Sequence, residues 1–172
     1  MFNCNWISSR KFTDVSLRLH LSGQAHVDLS DLVNTNSTAL LAGPDAVNCG
    51  KCKIKTSQHS QRSYNDPDLF LIEIIRVMPD SKNRWVKNDA PLSFAVKNLH
   101  LPGFVRPYTV VGTCHHRGSL NGGHLTTKVF TKEGWFDMDD LKRDRVLASP
   151  PGVQDNTTSV ILLIAVDRLP FL

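Results

Sequence analysis

The sequence lacks the features that mark membrane and secreted proteins. Its longest apolar run, Val160 to Val166, is far shorter than the roughly 20 residues that a membrane-spanning helix needs. The first residues, Met1 to Cys4, have neither the basic start nor the apolar core of a secretory signal peptide. With only four cysteines in 172 residues, a disulfide framework is not expected. These absences predict an intracellular protein, cytoplasmic or nuclear, without a membrane partner.

A concentrated basic region is absent as well. The formal net charge of +4 would suit a nucleic-acid partner. However, the lysines and arginines are scattered, and no basic cluster is interleaved with aromatic residues, so no nucleic-acid partner is expected. Hydrophobic residues make up 41% and charged residues 21% of the chain. This composition and length indicate one globular domain with a substantial core.

Strand signals dominate what is present. Alternating apolar residues over 15–21 predict a half-buried strand, and the apolar run 69–78 predicts a central buried strand. Further strands are predicted over 53–63, 108–114, 124–130, 135–138 and 158–167. One short helix is predicted over 27–33, with Asp28 or Ser30 as its cap. The segments 34–50, 79–91 and 117–123 are predicted to be loops, and the fold class is α+β, mainly antiparallel β with strands pairing mostly in consecutive order.

Chemically useful residues concentrate between Tyr108 and Leu141. His124 opens a predicted strand, and the next strand is followed by acids, which together provide two of the three members of a nucleophilic triad. The imidazole can take a proton from a Cys or Ser, while the carboxylate fixes the tautomer of the ring. Gly122 and Gly123 precede the histidine and, without a Cβ, can leave room for a substrate backbone. A structural histidine beside a solvated acidic edge is the alternative interpretation.

The pair Cys49-Gly-Lys-Cys52 is a second candidate site. A two-residue gap that contains glycine lets two thiolates bind one ion from a tight turn. An isolated pair of this kind is also compatible with no metal at all.

The ordered elements resemble the His box of the ubiquitin-specific proteases, a family of cysteine deubiquitinases. That box consists of a Tyr-led strand, His-x-Gly, Gly-His-Tyr, Trp-Tyr and Phe-[Asp/Asn]-Asp. The corresponding residues here are Tyr108, His116 to Gly118, Gly123-His124-Leu125, Trp135-Phe136 and Met138-Asp139-Asp140. Leu125 and Met138 replace the usual Tyr and Phe. Other segments resemble further strands of the family in the same order: Ser9 to Leu21, Pro67 to Arg76, Lys87 to Phe94 and Ile161 to Ala165.

The resemblance implies the fingers and palm of a papain-like cysteine protease fold, with the thumb missing. Residues 1–65 correspond to fingers with a degenerate zinc knuckle, and residues 66–172 to a palm with the His box. His124 is then the general base and Asp139, four residues after Trp135, its orienting acid in preference to Asp137. The resemblance further implies four substrate-binding residues, His116, Gly118, Gly122 and Gly123. It also implies three zinc ligands, Cys4, Cys49 and Cys52, and the position of the fourth ligand falls on Met1.

The family's nucleophilic Cys box does not occur in this sequence. Cys114 is a poor substitute because it lies within a predicted strand, without a helix terminus to stabilise a thiolate. We therefore expect a deubiquitinase fragment, inactive alone, whose complete enzyme hydrolyses isopeptide bonds between ubiquitin and ubiquitinated proteins. The alternatives are a non-catalytic ubiquitin-binding pseudoenzyme and a protease for a ubiquitin-like modifier.

Overall fold

The computed structural model describes residues 4, 6–11, 13–14, 16–21, 23, 25–142, 146–152 and 155–168. Strands are the main elements of this part of the chain, together with one α-helix and two short 3₁₀ turns at Gly43–Asp45 and Val166–Arg168. In chain order the elements are β1 (Ser16–His20), β2 (Val27–Asp28), α1 (Leu29–Ser37), β3 (Thr38–Leu41), β4 (Val47–Asn48), β5 (Lys55–Thr56), β6 (Gln58–Gln61), β7 (Leu69–Ile75), β8 (Val77–Pro79), β9 (Trp85–Lys87), β10 (Leu92–Ser93), β11 (Tyr108–Ser119), β12 (Gly122–Thr131), β13 (Gly134–Met138), β14 (Val146–Ala148) and β15 (Thr158–Ala165).

One seven-stranded sheet organises the molecule, in the order β1-β7-β15-β11-β12-β13-β14. Its strands pair antiparallel except for β1, which runs parallel to β7. The predicted fold class, α+β with mainly antiparallel β structure, is confirmed at this level. Within this sheet, strands that are consecutive in the chain pair with each other only from β11 to β14. The last strand, β15, returns to lie between β7 and β11. This return makes β15 a buried strand, as its apolar sequence predicts.

The core lies between the sheet and α1. The helix contributes Leu29, Leu32 and Val33 to this core. The sheet contributes fully buried residues of β1, β7, β11 and β15, among them Leu19, Ile72, Tyr108, Val110, Ile161 and Leu163. Asp28 caps the helix by accepting a hydrogen bond from the Ser30 N–H at 2.8 Å, which confirms one of the two predicted caps. The helix runs to Ser37 rather than ending at residue 33. The Asn36 and Ser37 side chains bond back to the Leu32 and Val33 carbonyls.

The three predicted loops are the main errors in the sequence interpretation. Segment 34–50 completes α1 and contains β3 and β4, and segment 79–91 contains β9. Segment 117–123 consists of the ends of β11 and β12, with only residues 120 and 121 between the strands. The predicted strand 53–63 is split into β5 and β6. Short two-stranded ribbons explain most of these errors. The strands of β3–β6, β4–β5 and β8–β9 have two to four residues and are largely exposed, so no alternation of buried and exposed positions marks them in the sequence.

The seven-stranded sheet includes strands from both sides of the expected boundary between fingers (1–65) and palm (66–172), because β1 pairs with β7. Among the described residues up to 65, the ribbons β3–β6 and β4–β5 are the two sheets formed entirely within this part of the chain. Among the described residues, no helix is long and apolar enough to cross a membrane.

Candidate active site

The candidate active site lies where the β11–β12 hairpin meets the end of β13. In the hairpin Arg117 is paired with His124, and Ser119 with Gly122. Directly paired residues on antiparallel strands present their side chains on the same face, and successive residues alternate between faces. His124 and Arg117 therefore share one face of the sheet, whereas His116 lies on the other.

His124 contacts Asp139, as the sequence predicts. The imidazole Nε2 lies 2.8 Å from Asp139 Oδ1, and the Leu141 N–H donates to the same oxygen at 3.0 Å. Asp140 Oδ1 is farther from Nε2, at 3.6 Å. Asp137 lies instead 3.8 Å from the Lys128 ammonium. The geometry thus favours Asp139 over Asp137 as the partner of the imidazole.

The surroundings of Asp139 fix the tautomer of His124. The hydrogen bond from His124, then the Leu141 N–H and the positive charges of His124 and Lys142, lower the pKa of the Asp139 carboxyl. The carboxylate is therefore ionised at neutral pH and accepts the Nε2–H of the ring. In a neutral imidazole the lone pair then lies on Nδ1. Nδ1 is the nitrogen that can accept a proton from a nucleophile.

The glycines of the hairpin are needed mainly for packing within the chain. Gly118 has a φ of +131°, and a Cβ there would lie 2.5 Å from the Gly122 carbonyl oxygen. A Cβ on Gly123 would lie 2.3 Å from His116 Nε2, so the His116 imidazole fills the space that Gly123 leaves. Gly122 alone of the three has open space around it. Room for a substrate backbone at Gly122 and Gly123 stays a prediction.

Lys87 anchors the β8–β9 ribbon beside the hairpin, a contact that the sequence interpretation missed. Its side chain is only 12% exposed, and Nζ donates to the carbonyl oxygens of His116 and Gly118 at 3.3 and 2.9 Å. It also forms an ion pair with Asp89 at 3.2 Å. Trp85 of the same ribbon is 67% exposed.

The predicted cysteine cluster is present at the β4–β5 ribbon. The sulfurs of Cys4 and Cys49 lie 3.7 Å apart, and those of Cys4, Cys49 and Cys52 all lie within 4.8 Å of one another. Four thiolates about 2.3 Å from one ion in tetrahedral geometry would be separated by roughly 3.8 Å. The spacing is compatible with a shared zinc ion. The expected fourth ligand position, Met1, lies outside the described residues.

Two further features support the cluster. The backbone N–H groups of Cys52 and Lys51 point at the Cys49 sulfur and lower the pKa of its thiol to about 7. The indole ring of Trp6 occupies the space that a Cβ on Gly50 would need, and this contact holds the Cys4 segment against the turn. A thiol with this pKa is about half ionised at neutral pH, and the thiolate is the form that binds metal. The hydrogen bond between Cys4 and Cys49 raises the pKa of the Cys4 thiol in turn.

Cys114 is separated from His124 by the sheet itself. Cys114 is paired with Thr127, three residues along β11 from Arg117, the partner of His124. An odd number of residues places its side chain on the opposite face. The argument from sequence that Cys114 is a poor nucleophile agrees with this position.

A buried polar network supports β11 and was also missed. His115, 3% exposed, lies 2.9 Å from Asp155 through Nδ1 and 2.8 Å from Thr113 through Nε2. Burial raises the pKa of Asp155, but hydrogen bonds from His115 and Thr157 outweigh it, and the pKa is well below its usual range. Next to it, Arg76 is 5% exposed and donates to the carbonyl oxygens of Asn88, Ala90, Asp155 and Thr158.

A comparison of the sequence with protein-family models finds no matching model, and a comparison with curated proteins finds no matching protein.

Proposed function

We propose that this chain is the fingers-and-palm part of a cysteine deubiquitinase of the ubiquitin-specific protease type. The observation that carries the proposal is the 2.8 Å contact between His124 Nε2 and Asp139, which leaves Nδ1 as a base. The side chain of His124 is 36% exposed, so a nucleophile and a substrate can reach the ring. The ordered His box supplies the choice of substrate by resemblance.

In this proposal the thiol comes from a segment outside these 172 residues. None of the four cysteines of this chain is placed to serve as the nucleophile. Three lie together at the β4–β5 ribbon, and Cys114 is on the opposite face of the sheet from His124. His124 Nδ1 removes the proton of the thiol, and the thiolate attacks the carbonyl carbon of the C-terminal glycine of ubiquitin. The imidazolium then protonates the leaving lysine amine, which leaves a thioester that water hydrolyses.

The substrate tail would approach the open side of the hairpin. A Cβ built on Gly122 would have no other atom within 4 Å. The β8–β9 ribbon, which Lys87 anchors through the Gly118 carbonyl, lies beside the hairpin. A tail that ends in Gly-Gly fits such an approach because it has no side chain to accommodate. In this proposal the packing of His116, Gly118 and Gly123 against one another sets the conformation of the hairpin, and the tail contacts Gly122.

A non-catalytic ubiquitin-binding module is the second candidate function. The structure describes all four cysteines, and none of them lies next to His124, which favours this candidate. A protease for a ubiquitin-like modifier is the third. Leu125 is 57% exposed and Met138 41%, so the residues that depart from the family pattern lie where a modifier could contact them.

Binding of ubiquitin to the chain tests the shared part of these proposals. In an NMR titration, ubiquitin is expected to shift the amide signals of residues 122–124, because its tail lies along this side of the hairpin. Ubiquitin without its terminal Gly-Gly should leave these signals in place, while ubiquitin-like modifiers serve as comparison ligands. Equal shifts from the intact and truncated forms would place the tail elsewhere.

We also propose that Cys4, Cys49 and Cys52 hold a structural zinc ion. Protein purified from zinc-containing medium and dialysed against a weak chelator, which removes zinc from exposed carboxylate sites, is expected to retain one ion per chain by elemental mass spectrometry. Cys49→Ser should reduce this to near zero, because the buried central ligand is lost. Cys114→Ser is the matched control and should retain the zinc. Zinc content that is the same in both variants, or negligible in the unsubstituted chain, would contradict the proposal.

A further inference from the structure

We propose that His124, Asp139 and Asp140 form a second cation site, which binds a divalent transition metal such as Zn²⁺ and switches the tautomer of His124. Binding itself does not depend on the proposed function. Its consequence, inhibition of the base, does rest on that function.

The donor atoms already converge on one point. His124 Nε2 lies 2.8 Å from Asp139 Oδ1 and 3.6 Å from Asp140 Oδ1, and all three atoms lie within 4.8 Å of one another. Imidazole nitrogen and carboxylate oxygen are both donor types that bind Zn²⁺, at about 2.0–2.2 Å. The imidazole nitrogen sets this group apart from an ordinary acidic patch, because it points at both carboxylates.

The surroundings allow an ion to enter. Asp140 is 83% exposed and His124 36%, so both can adjust, while Asp139 is held by the Leu141 N–H. Two carboxylates and a neutral ring carry two negative charges, which a divalent ion neutralises. Lys142 opposes binding, since its ammonium lies 3.8 Å from Asp139 Oδ2, but it is 61% exposed and can move away.

Binding would relocate the proton of the ring. Without an ion, Asp139 holds the proton on Nε2, and Nδ1 carries the lone pair. An ion on Nε2 uses the lone pair of that nitrogen, so the single proton of the neutral imidazole lies on Nδ1 instead. Nδ1 is then unable to accept a proton from a thiol. The ion therefore blocks the base by moving the proton of the ring to Nδ1.

The ring nitrogens of His124 report this change directly. In chain labelled with ring-¹⁵N histidine, a Zn²⁺ titration is expected to convert the His124 signals from the Nε2–H to the Nδ1–H tautomer. The signals are assigned with a His124→Gln variant, and the cysteine cluster gives no signal with this label because it contains no histidine. No ubiquitin or enzyme activity is needed, so failure of this test is distinct from failure of the proposed function.

Substitutions then identify the ligands. Asp140→Asn should weaken Zn²⁺ binding at His124 by about tenfold or more, since even supporting residues of metal sites contribute that much. Asp137→Asn is the matched control and should bind as the unsubstituted chain does, because Asp137 faces Lys128. Lys142→Gln should tighten binding, since it removes a nearby positive charge. Unchanged His124 signals, or equal affinity in the Asp140→Asn and unsubstituted chains, would overturn the proposal.

Discussion

Replacing Asp139 by Asn is expected to slow hydrolysis of a ubiquitin C-terminal amide by about 10²–10⁴-fold, the order of effect known when the acid of a triad is neutralised. The measurement uses a chimera in which the thumb of a characterised ubiquitin-specific protease, with its Cys box, precedes residue 4. Asn keeps an oxygen that can accept the Nε2–H, but it lacks the charge that stabilises the imidazolium. Its amide can also present an N–H to the ring and favour the wrong tautomer.

Asp137→Asn is the control for this experiment. Asp137 lies two residues earlier on the same face of β13, and its carboxylate is 3.8 Å from Lys128 rather than from His124. Its substitution should leave turnover close to that of the unsubstituted chimera. Equal losses at both positions would show that the general negative charge of this edge, and not one hydrogen bond to His124, supports the reaction.

Replacing Arg76 by Met is expected to lower the free energy of unfolding by about 3 kcal/mol or more, measured by urea denaturation. The side chain donates four hydrogen bonds to backbone carbonyls of two separate segments, 88–90 and 155–158, at 2.8 to 3.2 Å. Met has a similar length but no donor, so these buried carbonyls lose their partner, and each unsatisfied buried group costs about 1–3 kcal/mol. Arg76→Lys should recover only part of the loss, because one ammonium group does not reach all four oxygens.

Arg18→Met is the matched control for Arg76→Met. Arg18 also forms an ion pair in the same sheet, 3.2 Å from Glu73, but its side chain is 63% exposed. Exposed pairs contribute little, and the substitution should change the free energy of unfolding by no more than about 0.5 kcal/mol. Equal effects of the two substitutions would mean that the Arg76 network does not join these segments in solution.

Local pattern predicted only part of the contact between His124 and Asp139. Strand alternation placed Asp137 and Asp139 on one side, and the resemblance to the His box selected Asp139; the turn between β12 and β13 contains only residues 132 and 133. The Cys49–Cys52 pair was likewise visible from its spacing, whereas Cys4 was added through the resemblance. The buried strands β7 and β15 were predictable from their continuous apolar sequences.

Contacts between distant segments could not be predicted in the same way. Lys87 and Gly118 are joined by a hydrogen bond across 31 residues, and Arg76 and Asp155 across 79. A charged residue in a polar segment gives no sign in sequence that its side chain will be buried. The exposed ribbons were missed for a related reason, because strands that pair outside the core need no apolar alternation.

Hydrolysis of a ubiquitin C-terminal amide by the chimera tests the central claim most directly, which is that this chain supplies the base and the orienting acid of a cysteine deubiquitinase. The account predicts turnover by the chimera, none by the 172-residue chain alone, and loss of turnover when His124 is replaced by Gln. The chimera must also be folded, as shown by cooperative urea unfolding. A folded chimera that binds ubiquitin without turnover, or that turns over equally well with Gln at position 124, would contradict it.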